Sequence, residues 1–183
     1  MKIWEIRFID DNYDALEPKN DWNYDEITKF DGRELLNNWK LLELVKCYPE
    51  KNNPLNDAPT FLSGVPLVNN RTKKVIKELI GDAVEFLPTS YENKNEFWIV
   101  NVTNVLDCIN YNKAEPKRYS NNGRVMYFNR YSFFEDKVKN QDIFKIVECP
   151  RSYVFVSDKF KDIIEKNKIT GFTFTLVWDS EMD

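Results

Sequence analysis

Between Arg151 and Trp178 the spacing of hydrophobic positions changes twice. Tyr153 to Val156 is a β-branched and aromatic run, as in a strand. Phe160, Ile163 and Ile164 then recur at i, i+3 and i+4, the spacing of one helix face. Phe172, Phe174 and Leu176 alternate with Thr173, Thr175 and Val177, as a half-buried strand does. The pattern predicts strand, helix, strand. Ser157 is placed to cap the helix, Asp158 puts a negative charge in its first turn, Asn167 closes it and Gly171 marks the loop. Phe160, Ile163 and Ile164 should be buried.

The stretch from Pro66 to Pro88 has the same order. A short strand to Val68 leads to Asn69 or Asn70 as N-cap, a helix with a buried stripe of Val75, Ile76, Leu79 and Ile80, Gly81 as C-cap, and a strand from Ala83 to Leu87 that Pro88 ends. Two stretches of about twenty residues with little identity are too short to establish a repeat.

Elsewhere, Lys2 to Ile9 has apolar groups on both faces and reads as a strand interior to a sheet. Glu34 to Trp39 reads as a helical turn, and Leu41 to Tyr48 as a strand, with helix as the alternative; Pro49 stops either. Pro49, Pro54, Pro59 and Pro66 leave no room for a long element, so residues 49–66 are the weakest stretch in a single domain spanning 1–183. Phe97 to Val102 is a continuous apolar run typical of a central strand, and Val105, Leu106 and Ile109 suggest a helical turn. Tyr111 to Asn122 reads as a polar loop closed by Asn122-Gly123, Arg124 to Phe134 as one bent strand or a tight pair, and Ile143 to Val147 as a strand. The sum is an α+β fold: a mostly antiparallel or mixed β-sheet with two main helices, at about 70–80 and 157–166, packed on it.

Composition narrows the chemistry. The 183 residues contain no histidine, which removes Ser-His-Asp, Cys-His and His-zinc mechanisms. Five glycines at wide spacing cannot form a Gly-rich phosphate loop. Cys47, Cys108 and Cys149 lack metal or disulfide spacing and read as reduced, buried thiols. No cofactor or metal is indicated. A net charge of −4 disfavours nonspecific nucleic-acid binding and a lipid-surface role. Without an apolar leader or span, the expected compartment is the cytoplasm.

Charge is uneven along the chain. Residues 10–34 hold nine acids against Lys19, Lys29 and Arg33, a local balance of −6, with Tyr13, Trp22, Tyr24 and Phe30 interleaved. Such a run can be a solvated loop with a few anchoring rings. It also suits a protein partner, because aromatics anchor hot spots and complementary charge steers association. On that reading the partner-binding residues are Asp10, Asp11, Tyr13, Asp14, Asp21, Trp22, Tyr24, Asp25 and Glu26. Carboxylates are plentiful enough for a hydrolase or carbohydrate-processing enzyme, but that chemistry needs two acids a few ångströms apart in a cleft, which sequence spacing does not show.

Several segments resemble one of the immunity-protein families of bacterial polymorphic toxin systems, a family once known only as a domain of unknown function. They are Glu85-Phe86-Leu87-Pro88; Phe97-Trp98-Ile99-Val100-Asn101-Val102 leading into Val105-Leu106-Asp107-Cys108-Ile109; Ile143-Phe144-Lys145-Ile146; and Val156-Ser157-Asp158 through Gly171-Phe172-Thr173-Phe174. They span roughly residues 66 to 177, and residues before about 40 match little. The resemblance implies a non-enzymatic protein that binds and blocks a cognate toxin domain, and it brings no catalytic motif.

Overall fold

The computed structural model describes residues 1–8, 12–20 and 24–183, with the backbone alone described for Tyr24 and Asp25. Among these, the strands are β1 (Lys2–Arg7), β2 (Leu16–Pro18), β3 (Leu42–Lys46), β4 (Leu67–Asn69), β5 (Val84–Tyr91), β6 (Phe97–Val102), β7 (Val105–Leu106), β8 (Glu115–Arg118), β9 (Val125–Arg130), β10 (Ile143–Ile146), β11 (Phe155–Ser157) and β12 (Thr173–Asp179). The helices are α1 (Tyr24–Ile27), α2 (Asn70–Ile80), α3 (Glu135–Val138) and α4 (Asp158–Lys166).

The fold is α+β, with strands divided between two five-stranded sheets, ordered β12-β1-β11-β10-β7 and β2-β3-β5-β6-β4, and a separate β8-β9 pair. Pairing is antiparallel except for β10 with β7 and β3 with β5. Ile76 and Ile80 of α2 meet Phe160 and Ile164 of α4, together with Ile6, Val68, Val100 and Val156 from both sheets, in one apolar core. Phe160, Ile164, Ile76 and Ile80 are buried as the periodicity predicts, whereas Ile163, Val75 and Leu79, expected to be buried with them, lie at the flanks of the two helix faces and are half-buried. A largely aromatic core containing Tyr131, Phe133, Phe144, Phe155 and Trp178 lies on the first sheet. A third core, with Leu16, Phe30, Leu44, Leu87 and Ile99, lies on the second.

Several expectations are corrected. Val105 and Leu106 form a short strand beside β10 rather than a helical turn. The loop expected from Tyr111 to Asn122 contains β8, which exists because β9 offers it a ladder. Gly81 is the C-cap of α2, as expected, but in a right-handed conformation (φ −56°) that leads into a 3-10 turn over Gly81–Ala83 rather than the left-handed one usual for a glycine cap. Pro88 does not end its strand. The N–H of Val100 is given to Pro66 at 2.8 Å, so Val100 bonds toward β4 and its opposite number Phe86 turns its own backbone groups away from β6. Pro88 shares that parity, and its missing N–H falls on the outer side of the pair, where a proline is tolerated.

The echo between the two strand-helix-strand stretches extends to side chains and to register as far as Trp98 and Trp4; past Trp4 the β1–β12 pair has a register shift at Val177 that β5–β6 lacks. Each N-cap, Asn69 or Ser157, gives its backbone N–H to the carbonyl of an aspartate, Asp57 (2.9 Å) or Asp142 (3.3 Å). Its side chain donates to that aspartate's carboxylate at 2.9 and 2.6 Å respectively. The next residue, Asn70 or Asp158, accepts the indole N–H of Trp98 (2.8 Å) or Trp4 (2.9 Å). Lys73 stands over the rings of Trp98 and Phe86, and Lys161 over those of Trp4 and Phe174. Trp98 faces Val68 and Pro88 across the ladder, while Trp4 faces Val156 and Leu176. The bond from Val100 to Pro66 has its counterpart from Ile6 to Val154 at 3.1 Å. Thus β4-α2-β5-β6 and β11-α4-β12-β1 are two copies of one arrangement. The second takes its last strand from the opposite end of the sequence, and Ser180 N–H donates to the Met1 carbonyl at 2.9 Å where the ends meet.

Candidate partner-binding surface

The acidic, aromatic segment reaches the second sheet through β2 and continues through α1 to a turn at Leu36–Asn38. Asp10, Asp11, Asp21 and Trp22 lie outside the described residues, and Tyr24 and Asp25 are placed by backbone alone in α1. Tyr13 and Glu26 are half-buried. Asp14 departs from the expectation of a surface acid. It is only 2% exposed, accepts from the Tyr48 N–H at 3.1 Å and has Lys46 Nζ at 4.0 Å. Its carboxylate ties two loops together and is not available to a partner.

The later part of the segment is fastened by residues that sequence reading missed. Phe30 is buried, its ring edge-on to Trp39 at 6.3 Å, and its carbonyl accepts from Lys145 Nζ at 2.8 Å. Asn101 Nδ2 donates to the Arg33 carbonyl (2.9 Å) and to Glu85 (2.8 Å). The Glu85 carboxylate accepts the N–H groups of Leu35 (2.6 Å) and Leu36 (3.1 Å), and the Trp39 indole donates to the Pro88 carbonyl at 2.9 Å. Glu85, Asn101 and Lys145 all lie within the strand segments that carry the resemblance. Polar residues inside apolar runs were the available signal, because a buried polar group requires a partner.

What they hold in place is a groove of about 480 Å³ lined by Glu26, Lys29, Arg33, Trp39, Leu41 and Leu42 among others. Nearby, Ile27, Leu36 and Leu41 are 40%, 51% and 58% exposed. Asp31 is paired with Arg33 at 2.6 Å, and hydrogen bonding to that guanidinium holds its carboxyl below the usual range. The surface is thus apolar with charges of both signs, and less uniformly acidic than the sequence balance suggests.

Lys145 gives this framework a pH signature. Burial lowers its ammonium to about 8 from 10.5. Between those values the folded chain has released a proton that the unfolded chain keeps, so the contribution of Lys145 to stability rises with pH across that window. In denaturant melts from pH 7.5 to 10.5, wild type should gain on Lys145→Met by on the order of 3 kcal/mol, since each pKa unit corresponds to about 1.4 kcal/mol. A pH-independent difference would show that burial does not penalise the charge.

Cys108 and Cys149 are buried as expected, while Cys47, just past the end of β3, is only half-buried. Burial is the main cause that pushes Cys47 up to about 11, Cys108 to about 12 and Cys149 to about 11, so all three are protonated at neutral pH and are poor nucleophiles. Among the described residues, no group of three or more Cys, Asp or Glu side chains is arranged to hold a metal ion, and no helix is long and apolar enough to cross a membrane.

A comparison against protein families finds one whose pattern matches residues 16–179, the immunity protein family Imm11. The chain belongs to the Imm11 immunity protein family. The match starts earlier than the motif resemblance, which begins near residue 66, and so takes in β2, α1 and the groove. Imm11 membership supports an immunity function and implies a toxin partner. Comparison with curated proteins finds no match.

Proposed function

We propose that this Imm11 chain is a non-enzymatic immunity protein of a polymorphic toxin system. It acts in the cytoplasm, binding a cognate toxin domain and blocking it through the surface formed by the acidic segment and the groove beside it. The family match over residues 16–179 carries the reading. The anchored segment supports it, because a surface held in place before binding loses less conformational entropy on association.

The direct test is whether the chain protects cells that express the toxin domain encoded beside it; unprotected cells would overturn the reading. Binding kinetics then test the surface. Changing Asp21, Asp25 and Glu26 together to Lys should slow association and flatten its salt dependence, since charge steering raises on-rates by roughly 10 to 10³-fold. Trp22→Ala should act on dissociation, costing about 2 kcal/mol or more if the ring is a desolvated anchor. Unchanged rates in both variants would move the interface off this segment.

A further inference from the structure

The two copies of the strand-helix-strand-strand arrangement differ in what they bury at one position of their last strand. In β6, Ile99 lies opposite Leu67 of β4 and Leu87 of β5 and is fully buried in the third core. The corresponding residue of β1, one past Trp4, is Glu5, which lies opposite Phe155 of β11 and Thr175 of β12 and is also buried. The arrangement itself takes an isoleucine here, so a carboxylate withdrawn from water at this position needs a separate reason. Its partner is Arg7, two residues along the same strand, whose Nε donates at 2.7 Å. The two side chains sit at different depths, Glu5 7% exposed and Arg7 57%.

Glu5 and Arg7 line a pocket of about 440 Å³ with Phe61, Leu62, Ser152 and Tyr153. Burial, and then the charge of Glu5, push the Tyr153 hydroxyl up, so it stays a neutral donor near the carboxylate. The pocket thus offers an inner acid, apolar side chains and hydroxyls, the profile of a socket for a lysine or arginine, which has an apolar stem and a cationic head. It also adjoins the acidic segment. Thr60, another lining residue, donates its hydroxyl to the Phe8 carbonyl and accepts the Leu16 N–H at 2.9 Å on its own carbonyl. Both ends of the run from Phe8 to Leu16 are therefore fastened to the pocket's rim.

We propose that this pocket takes a basic side chain of the toxin domain, whose ammonium or guanidinium displaces Arg7 from the Glu5 carboxylate. The inference rests on the toxin-binding reading above, in which the acidic segment steers a partner of opposite charge. In the chain alone Arg7 holds the place of that side chain: it neutralises Glu5 and, being mostly exposed, turns out into water when the toxin's cation enters.

Binding of the chain to the toxin domain encoded beside it, together with thermal melts of the chain alone, tests this. Glu5→Ile should leave the thermal midpoint at or above wild type, because a buried carboxylate gives way to the residue type that the other copy carries. It should nevertheless weaken the complex by about thirtyfold or more, as truncating one partner of a desolvated charge pair does. Glu5→Gln, which keeps the shape and removes the charge, should weaken it as well. Arg7→Ala removes the internal competitor and should leave the complex as tight as wild type or tighter. Unchanged affinity in both Glu5 variants overturns the inference and leaves the toxin reading standing. So does a fall in thermal midpoint that accompanies the loss of affinity in both, which would make Glu5 part of the fold, and so does a comparable loss in Arg7→Ala, which would put an anion of the toxin on Arg7. A wild-type chain that forms no complex overturns both readings.

Discussion

Phe155→Ala should cost about 3 to 5 kcal/mol in chemical denaturation, the range for deleting a fully buried phenyl ring. Phe155 is 0% exposed on β11, which lies between β1 and β10. Its ring centroid is 5.3 Å from that of Tyr131, 5.6 Å from Phe144 and 5.8 Å from Phe133. The neighbours belong to different elements, so no single side chain can move in to fill the space, and the cavity term adds to the lost transfer energy. Phe155→Leu should cost distinctly less. A loss below about 1 kcal/mol for the alanine variant would mean that the core closes around the gap.

Gly171→Ala should be similarly damaging, for a reason that does not involve apolar burial. Gly171 has φ +97°, and a Cβ there would lie 2.8 Å from the Ala58 carbonyl carbon and 2.8 Å from Asn56 Oδ1. The contact is braced from both sides: Ala58 N–H donates to the Thr170 carbonyl at 3.1 Å, and Thr170 N–H donates to Asp57 at 3.0 Å. A strained φ costs about 1 to 3 kcal/mol, and overpacking about 1 to 3 more. Gly123 separates the two contributions. It has φ +70° with open space around its would-be Cβ, so Gly123→Ala should show the backbone cost alone. Equal losses at the two sites in thermal or denaturant melts would show that the approach of Ala58 does not matter.

The candidate surface was half legible in the sequence. Charge and aromatic content mark residues 10–34 as unusual, because composition is a property of the segment itself. Which of its acids face solvent is not. Asp14 is buried because Tyr48 N–H, far along the chain, needs an acceptor there. The anchors Glu85, Asn101 and Lys145 read locally as strand residues, and their role appears only when three strands bring them against the backbone of residues 30–36.

The two helices, their caps and the strands from Phe97, Ile143 and Phe172 were readable from the sequence, because capping and hydrophobic period act between residues a few positions apart. The closeness of the two strand-helix-strand stretches was readable only as an order of elements. The tertiary structure decided the remainder. It split the strands between two sheets, placed β1 where β6 stands in the other copy, drew β8 out of a polar loop, covered the edge of β5 and left that of β12 open. Each of these depends on pairing between residues distant in sequence, and a strand's period of two says which face is buried without saying which strand lies beside it.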